Sequence, residues 1–277
     1  MDKQERISFL KKKAAELRET SLTMIHAANS GHPGGSLSVA DIMAALYFYE
    51  MRIDPQKPKW EDRDRFVLSK GHVCPILYSA LIMNGFMPKE EIYTLRKFGS
   101  KLQGHPCMKK TPGVDISTGS LGQGISCAVG MALGLKRLEK DSRVFCMVGD
   151  GETNEGQVWE AIQTAVKYRL DNFIAFIDYN GLQCDGFCED IMPLKSLAEK
   201  FKAFGCSVYE IDGHTMEEIV DVLETIRESK DGQPKVVVAS CVKGKGVSFM
   251  ENVGDWHGIA PNDAEYKQAI EEIRAAV

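Results

Sequence analysis

Two residues thirty positions apart, Asp150 and Asn180, are the pair in this sequence best suited to chemistry. A carboxylate, an amide oxygen and nearby backbone carbonyls make a hard oxygen set of the kind Mg²⁺ takes, with positions left for water and substrate phosphates. Asp150 stands between Gly149 and Gly151, and the backbone N–H groups of Gly151 and of a following helix start suit a diphosphate. An EF-hand reading of Asp150 to Gly156 fails on spacing. The glycine falls one position late, and Ala161 stands where a bidentate glutamate belongs. Gly-Asp-Gly alone is commonly only a strand-to-helix turn, so the spaced Asn180 and the pattern between the two carry the reading.

That pattern predicts the elements needed to bring them together. Val144 to Val148 is an apolar run that reads as a buried strand ending in the glycine turn. Val158, Ala161, Ile162, Ala165, Val166 and Leu170 recur at helical spacing, with Glu152 and Glu155 near the helix's positive end. Phe173 to Ile177 reads as a second buried strand, closing a βαβ unit. If the strands are parallel, Asp150 and Asn180 emerge side by side at their carboxyl ends, the edge where open α/β sheets bind ligands.

Histidines are the second chemical group. His32 lies between Gly31 and Pro33-Gly34-Gly35, which predict irregular backbone ahead of an apolar helix over Val39 to Tyr49. His72 follows a short strand, Phe66 to Ser69, and precedes a helix beginning near Pro75, which places it on the ligand-binding edge if this strand joins the same sheet. Gly-His-Pro recurs around His105. The glycines of Ser117 to Gly124 permit close backbone approach to a ligand, and the helix they open, Ile125 to Leu138, supplies N–H donors. No strand clearly precedes this segment and its glycine spacing is not that of a dinucleotide fingerprint. His26, on an amino-terminal helical pattern over Ile7 to Ala28, reads as a packing residue. His214, in the turn Asp212 to Thr215, reads as part of the cap of a helix over Met216 to Ser229.

Composition excludes several classes of function. A chain of 277 residues buries a substantial core, and its formal net charge of −5 gives no attraction to nucleic acid or acidic membranes. Lys11-Lys12-Lys13 is a solvated helix face. No run approaches the roughly 18 apolar residues of a membrane span, and the charged start has no secretory apolar region, so a cytoplasmic location is expected. The eight cysteines form no CxxC pair and read as free thiols; Cys184 and Cys188 come nearest to a ligand pair. Further along, 181–193 reads as a loop, 195–204 as a helix, 207–211 and 235–241 as strands, and 265–277 as a closing helix. Lys243-Gly244-Lys245-Gly246 lacks the preceding glycine of a P-loop.

GHPGG at 31–35, DRFVLSKGH at 64–72, GHP at 104–106, TGSLGQG at 118–124 and the GDG…N element occur in the order found in transketolases, and the chain resembles that family from about residue 15 to residue 260. It departs from the family at Ser120, where many members have proline, and at Ser38, where the pattern has glycine; both are expected to affect loop shape more than activity. The resemblance implies a single thiamine diphosphate-binding domain over 1–277 of the diphosphate type, an α/β fold with a mostly parallel sheet and helices on both faces. It implies transfer of a two-carbon ketol unit from a ketose phosphate to an aldose phosphate, with thiamine diphosphate and Mg²⁺, for which Ca²⁺ or Mn²⁺ could substitute. By resemblance, Asp150, Asn180 and the Leu182 carbonyl bind the metal. Gly151 contacts the diphosphate, Gly119 and Leu121 lie along the cofactor, and Glu155 stands behind them. His32, His72, His105 and His257 surround the reacting carbons, His72 and His257 also touching the cofactor. Full transketolases add a pyrimidine-binding domain and a third domain that nothing in this sequence matches. The chain therefore resembles the amino-terminal subunit of a split transketolase, with two copies each of this chain and a carboxyl-terminal subunit, and neither nucleic acid nor membrane as partner. The diphosphate-binding subunit of a 2-oxoacid dehydrogenase shares GDG…N, but GHPGG, SKGH and TGSLGQG argue against it. The intact Asp150, Asn180 and histidines argue against a silent assembly subunit.

Overall fold

The computed structural model of the chain describes residues 1–276, and among them five strands pair into one sheet. They are β1 (Arg65–Leu68), β2 (Val144–Gly149), β3 (Phe173–Tyr179), β4 (Ser207–Asp212) and β5 (Lys235–Ser240), in spatial order β1-β2-β3-β5-β4. Every ladder is parallel, as expected. Near-continuous apolar runs such as Val144–Val148 are what a parallel strand covered on both faces requires.

Successive side chains of a strand point to opposite faces, and here the alternation sorts two cores. Phe66, Leu68, Phe145, Met147, Ile174 and Phe176 pack with α1 (Lys3–Ala28), α3 (Ala40–Ala45), α4 (Cys74–Met83) and α9 (Met216–Glu228). Val67, Cys146, Val148, Ala175 and Ile177 face α5 (Gln123–Arg137), α6 (Gly156–Lys167) and α8 (Leu197–Phe204). Fully burying one such large apolar side chain contributes about 1.5–3 kcal/mol, so the two cores fix the sheet and with it the positions of the strand ends. A third cluster seats α10 (Asp263–Ala275) on α1 through Leu22, Ile270 and Ile273. Among the described residues no helix is long and apolar enough to cross a membrane.

Helix limits differ from expectation where capping or packing decides them. The amino-terminal pattern forms one helix, started by an Asp2–Glu5 capping box and ended at Asn29, whose φ of 45° is left-handed. Pro33–Ser38 is a helical turn, α2, and not irregular backbone. Pro33 occupies the first helical position, where its fixed φ suits the helix and its missing N–H is not needed. Close packing overrides the low helix propensity of the glycines: a Cβ on Gly35 would lie 2.6 Å from Val73. The apolar helix that follows is broken into α3 and a π turn, Leu46–Glu50. The expected loop after Asn180 contains a single turn, α7 (Cys188–Ile191). The last helix begins at Asp263, two residues before expectation, because Asn262 and Glu265 form a capping box. Val277, to which the sequence reading extends that helix, lies outside the described residues.

Candidate functional site

Parallel pairing of β2 with β3 sets Gly149 opposite Asp178, so the residues that follow each strand leave the sheet together. The Asp150 carboxylate bridges the two exits: Oδ1 accepts the Gly151 N–H at 2.7 Å and Oδ2 accepts the Gly181 N–H at 2.6 Å. Asn180 lies beside it, its Nδ2 donating to Asp178 Oδ2 at 2.8 Å and its Oδ1 accepting the Leu182 N–H at 3.1 Å. The juxtaposition expected from the sequence is therefore present. The Leu182 carbonyl accepts Lys243 Nζ at 2.8 Å.

Behind these groups lies a buried ionic set that sequence reasoning missed. Asp178 is fully buried and accepts from Lys70 Nζ, from Asn180 and from Ser38 Oγ at 2.6 Å. Burial alone would raise its pKa, but the Lys70 ammonium and the hydrogen bonds hold the carboxyl below its ordinary value. Asp150 has no such ammonium of its own: burial, then the neighbouring Asp178, push it up to about 6. The Lys70 ammonium is taken by Asp178, and that of Lys243 by the Leu182 carbonyl and His257, so the Asp150 carboxylate has no cation of its own, and a divalent cation would supply one. Ser38 also corrects an expectation: its side chain does not merely shape the loop but orders the carboxylate that orients Asn180. Ser38→Ala should cost about 1–3 kcal/mol of stability, since a buried charge loses a donor. Urea unfolding near neutral pH measures it, and a wild-type midpoint and slope would show that the hydroxyl contributes nothing.

Glu155 stands at the helix's positive end as expected, but Glu152 lies a turn ahead of it. A 3-10 turn, Gly151–Asn154, intervenes and α6 starts only at Gly156, with Glu155 as an N-cap that makes no side-chain cap bond. Glu152 turns inward and is 2% exposed, accepting Ser69 Oγ at 2.5 Å, Gly122 N–H at 2.8 Å and Gly149 N–H at 3.0 Å. It ties the ends of β1 and β2 to the start of α5. Gly124 lets that helix close on β1, where a Cβ would lie 2.6 Å from Ser69 Cα. Glu155 is exposed, and its side chain passes beside Gly122.

Three of the four expected histidines form one cluster. Ring centroids are 5.0 Å apart for His32 and His72, 5.5 Å for His32 and His257, and 5.3 Å for His72 and His257. Burial, followed by neighbouring cations, lowers His32 and His257 to about 4 and His72 to about 2, so all three are neutral near pH 7. The Lys243 ammonium donates to His257 Nδ1 at 2.8 Å, which leaves the ring's own hydrogen on Nε2. His105 stands apart from these rings on the adjoining loop. It is exposed and lies over Gly119, which has a φ of 151° and whose added Cβ would lie 3.0 Å from the imidazole. Burial and then Arg96 lower its pKa.

The other histidines divide. His26 packs as expected, stacked on Tyr266 at 4.2 Å and 2.8 Å from Asp263. His214 lies in the turn ahead of α9 as expected, its N–H donating to Asp212 Oδ1 at 2.8 Å, but its side chain turns away from the cap. Its Nδ1 lies 2.9 Å from Asp41 Oδ2 and its Nε2 accepts the Val242 N–H at 2.8 Å, holding the strand exit next to Lys243. The N-cap, Thr215, makes no side-chain bond.

The residues present fit a metal–diphosphate group. Gln183 Nε2, His32 Nδ1 and Thr118 Oγ1 are buried with no hydrogen-bond partner, and buried polar groups left open in this way want a ligand. Gly151 lets Gln183 pack directly on its backbone, where a Cβ would come within 2.8 Å of Cγ. Among the described residues no three His, Cys, Asp or Glu side chains converge on a metal position, so Cys184 and Cys188 form no cage. A cation here would rest on one carboxylate, one amide, a carbonyl and the diphosphate itself.

Residues 10–274 match the family described as "Transketolase, thiamine diphosphate binding domain". Over 264 residues the chain is 44% identical to the 6-deoxy-6-sulfo-D-fructose transketolase subunit SqwG of Clostridium sp. (strain MSTE9), covering 95% of this chain and 96% of that protein. It is 39% identical over 267 residues to an apulose-4-phosphate transketolase subunit from Phocaeicola vulgatus, covering 96% and 94%. The crystal structure of transketolase from Campylobacter jejuni superposes with a TM-score of 0.91 at 35% identity, covering 99% of this chain and 43% of that one.

Proposed function

We infer, from the premise that this chain belongs to the transketolase family by its thiamine diphosphate-binding domain, that it is the amino-terminal subunit of a split transketolase. It transfers a two-carbon ketol unit from a ketose phosphate to an aldose phosphate and works only with a separate carboxyl-terminal subunit. The observation that carries the chemistry is the meeting of Asp150 and Asn180 at one sheet edge beside three neutral histidines. The split is supported by relatives matched over 94–96% of their own length that are themselves named transketolase subunits. Their names specify different sugars, so the reading extends to the substrate class and no further.

In this reading Asp150, Asn180 and the Leu182 carbonyl hold Mg²⁺, or Ca²⁺ or Mn²⁺ in its place, and the Gly151 N–H meets the diphosphate. Gly119 and Leu121 line the cofactor. Thiamine diphosphate, when bound, supplies the carbon nucleophile and the electron sink for the two-carbon unit. The chain supplies position and protons. His32 and His72 are held neutral, so each offers one N–H to a substrate hydroxyl or a developing oxyanion and one lone pair to a proton, whereas His257, whose Nδ1 lone pair is taken by Lys243, offers its Nε2 N–H alone. Lys243 fixes which nitrogen of His257 does which. Glu155, exposed near Gly122, faces outward, where a second subunit can meet it. The assembly is two copies of each chain, in the cytoplasm, without nucleic acid or membrane. Ketol transfer assayed with this chain, with and without its co-purifying polypeptide, across ketose and aldose phosphates, tests the reading.

His105 separates chemistry from cofactor binding, because it lies on the neighbouring loop and makes no contact with Asp150 or Asn180. If its imidazole acts on reacting oxygens, His105→Ala should lower turnover by about 10²-fold, the lower range for a general acid–base group, with little change in thiamine diphosphate affinity. Equal losses in turnover and cofactor affinity, or wild-type turnover at saturating substrate, would remove it from that role.

A further inference from the structure

On the opposite edge of the sheet, below the amino-terminal ends of β2 and β3, a cleft of about 590 Å³ opens between α5, α9 and the π turn. Its volume is within the range of small-molecule sites, and it is remote from every residue assigned above. Six cationic side chains line it, Arg52, Lys136, Lys140, Arg143, Arg227 and Lys230, against three carboxylates, Glu50, Asp141 and Asp171. The lining therefore carries a formal charge of 6 − 3 = +3 in a chain whose net charge is −5.

Several of these cations have structural work. Arg143 and Arg227 hold the buried Glu50, and Lys136 and Arg227 sit in the last turns of α5 and α9, where positive charge offsets the helix dipole. Lys140 pairs outside the lining with Asp62. Those roles do not account for the rest. Lys230 makes no ion pair among the described residues, and Arg52 divides between the buried Asp64, at 3.4 Å, and Asp141, whose side chain is fully exposed. Lys136 pairs with the half-exposed Asp171. Exposed pairs of this kind are worth about 0–1 kcal/mol, so an anionic ligand can displace Asp141 and Asp171 at little cost. The wall also contains two polar atoms that no protein group answers. Ser142, 1% exposed, has an unpartnered hydroxyl, and the Asn172 side-chain oxygen is buried without a donor.

We propose that this cleft is a second, non-catalytic binding site for a small phosphate ester bearing hydroxyl groups. The phosphate lies against Lys230, with Lys136 and Arg52 turning to it from their exposed partners Asp171 and Asp141 as charge-assisted donors, and the ligand's hydroxyls answer Ser142 and Asn172. A bare phosphate would satisfy the cations only, so the two wall atoms favour the ester.

Calorimetric titration of the full chain tests this, with thiamine diphosphate and Mg²⁺ present in saturating amounts and glycerol 3-phosphate and inorganic phosphate as probes. Glycerol 3-phosphate should bind at one site and more tightly than inorganic phosphate. Lys230→Glu, at an exposed and unpaired position, should weaken both at least about tenfold, the loss expected when a charged hydrogen bond is removed. Ser142→Ala should weaken glycerol 3-phosphate alone. It deletes a buried hydroxyl that has no partner, so thermal unfolding should show no loss of stability. No saturable binding at millimolar probe overturns the proposal, and so does wild-type affinity in Lys230→Glu or for glycerol 3-phosphate in Ser142→Ala. Because the cleft is distant from Asp150 and the histidines, these variants report on it whether or not the catalytic reading stands.

Discussion

Asp150→Ala is expected to abolish Mg²⁺-dependent thiamine diphosphate binding while leaving the chain folded. Its carboxylate sits at the exits of β2 and β3, and the second carboxylate, Asp178, is already paired with the Lys70 ammonium. Removing Asp150 leaves an amide and a carbonyl as protein ligands, too little to compete for a cation that gives up its water reluctantly. Outer groups that merely orient a ligand typically cost 10–100-fold in metal affinity, so losing the anionic ligand itself should cost at least about 100-fold. Folding should survive, because the two cores that hold the sheet lie beneath this edge and the variant sheds a buried charge along with its two hydrogen bonds. Asp150→Asn, which keeps the shape and removes the charge, separates electrostatics from packing. The measurement is cofactor titration at rising Mg²⁺ with the assembled enzyme. Unchanged affinity in both variants would remove Asp150 from the metal site.

The Asp150–Asn180 meeting was legible because it depends on topology alone. Two parallel strands joined by a helix must leave the sheet on one edge, and their apolar runs mark where. Asp150, Asn180, His32 and His72 also come together as geometry, since each follows a strand or stands ahead of a helix at that edge, whereas His257, at the end of a 3-10 turn, was reached only through the family resemblance. Lys70–Asp178 was not legible. A buried ion pair between residues 108 apart has no local signature, and Lys70 stood in the sequence only as one letter of SKGH. Glu152 misled for a different reason. Its place just ahead of an amphipathic pattern fits a helix's first turn, and only the later start at Gly156 turns it toward Ser69 and Gly122. His214 was read from its neighbours in an Asp-Gly-His-Thr turn, but its partners, Asp41 and Val242, come from other elements. In each case local grammar gave way to a buried group finding a distant partner, because a buried polar atom without one costs more than an imperfect cap.

The purified chain alone should be inactive, and ketol transfer should appear only when a separate carboxyl-terminal subunit is added, two copies of each forming the active unit. By the family resemblance, the carboxylate that activates the cofactor's pyrimidine ring comes from a pyrimidine-binding domain, and the cofactor lies between that domain and one like this. The relatives named as transketolase subunits match this chain over nearly their whole length, whereas the Campylobacter jejuni transketolase is matched over 43% of its chain. The surface around the site is consistent with a covering partner. Phe187, Ile191 and Met192, on the segment that follows Asn180, are 55%, 45% and 56% exposed, and apolar side chains grouped near a polar site mark contact surfaces. Twofold pairing would give two equivalent sites, the commonest closed arrangement. The isolated chain could still hold Mg²⁺-diphosphate weakly through Asp150, Asn180 and Gly151, with half of the cofactor facing water. Closing the second half around it should then stabilise the assembly by linkage, so that thiamine diphosphate raises the unfolding temperature of the complex more than that of the chain alone. The decisive assay compares ketol transfer by rigorously pure chain with transfer after its co-purifying polypeptide is restored. Full activity with no second polypeptide present would overturn the split-enzyme reading, and no activity from the restored complex with any ketose–aldose phosphate pair would overturn the assignment of the reaction.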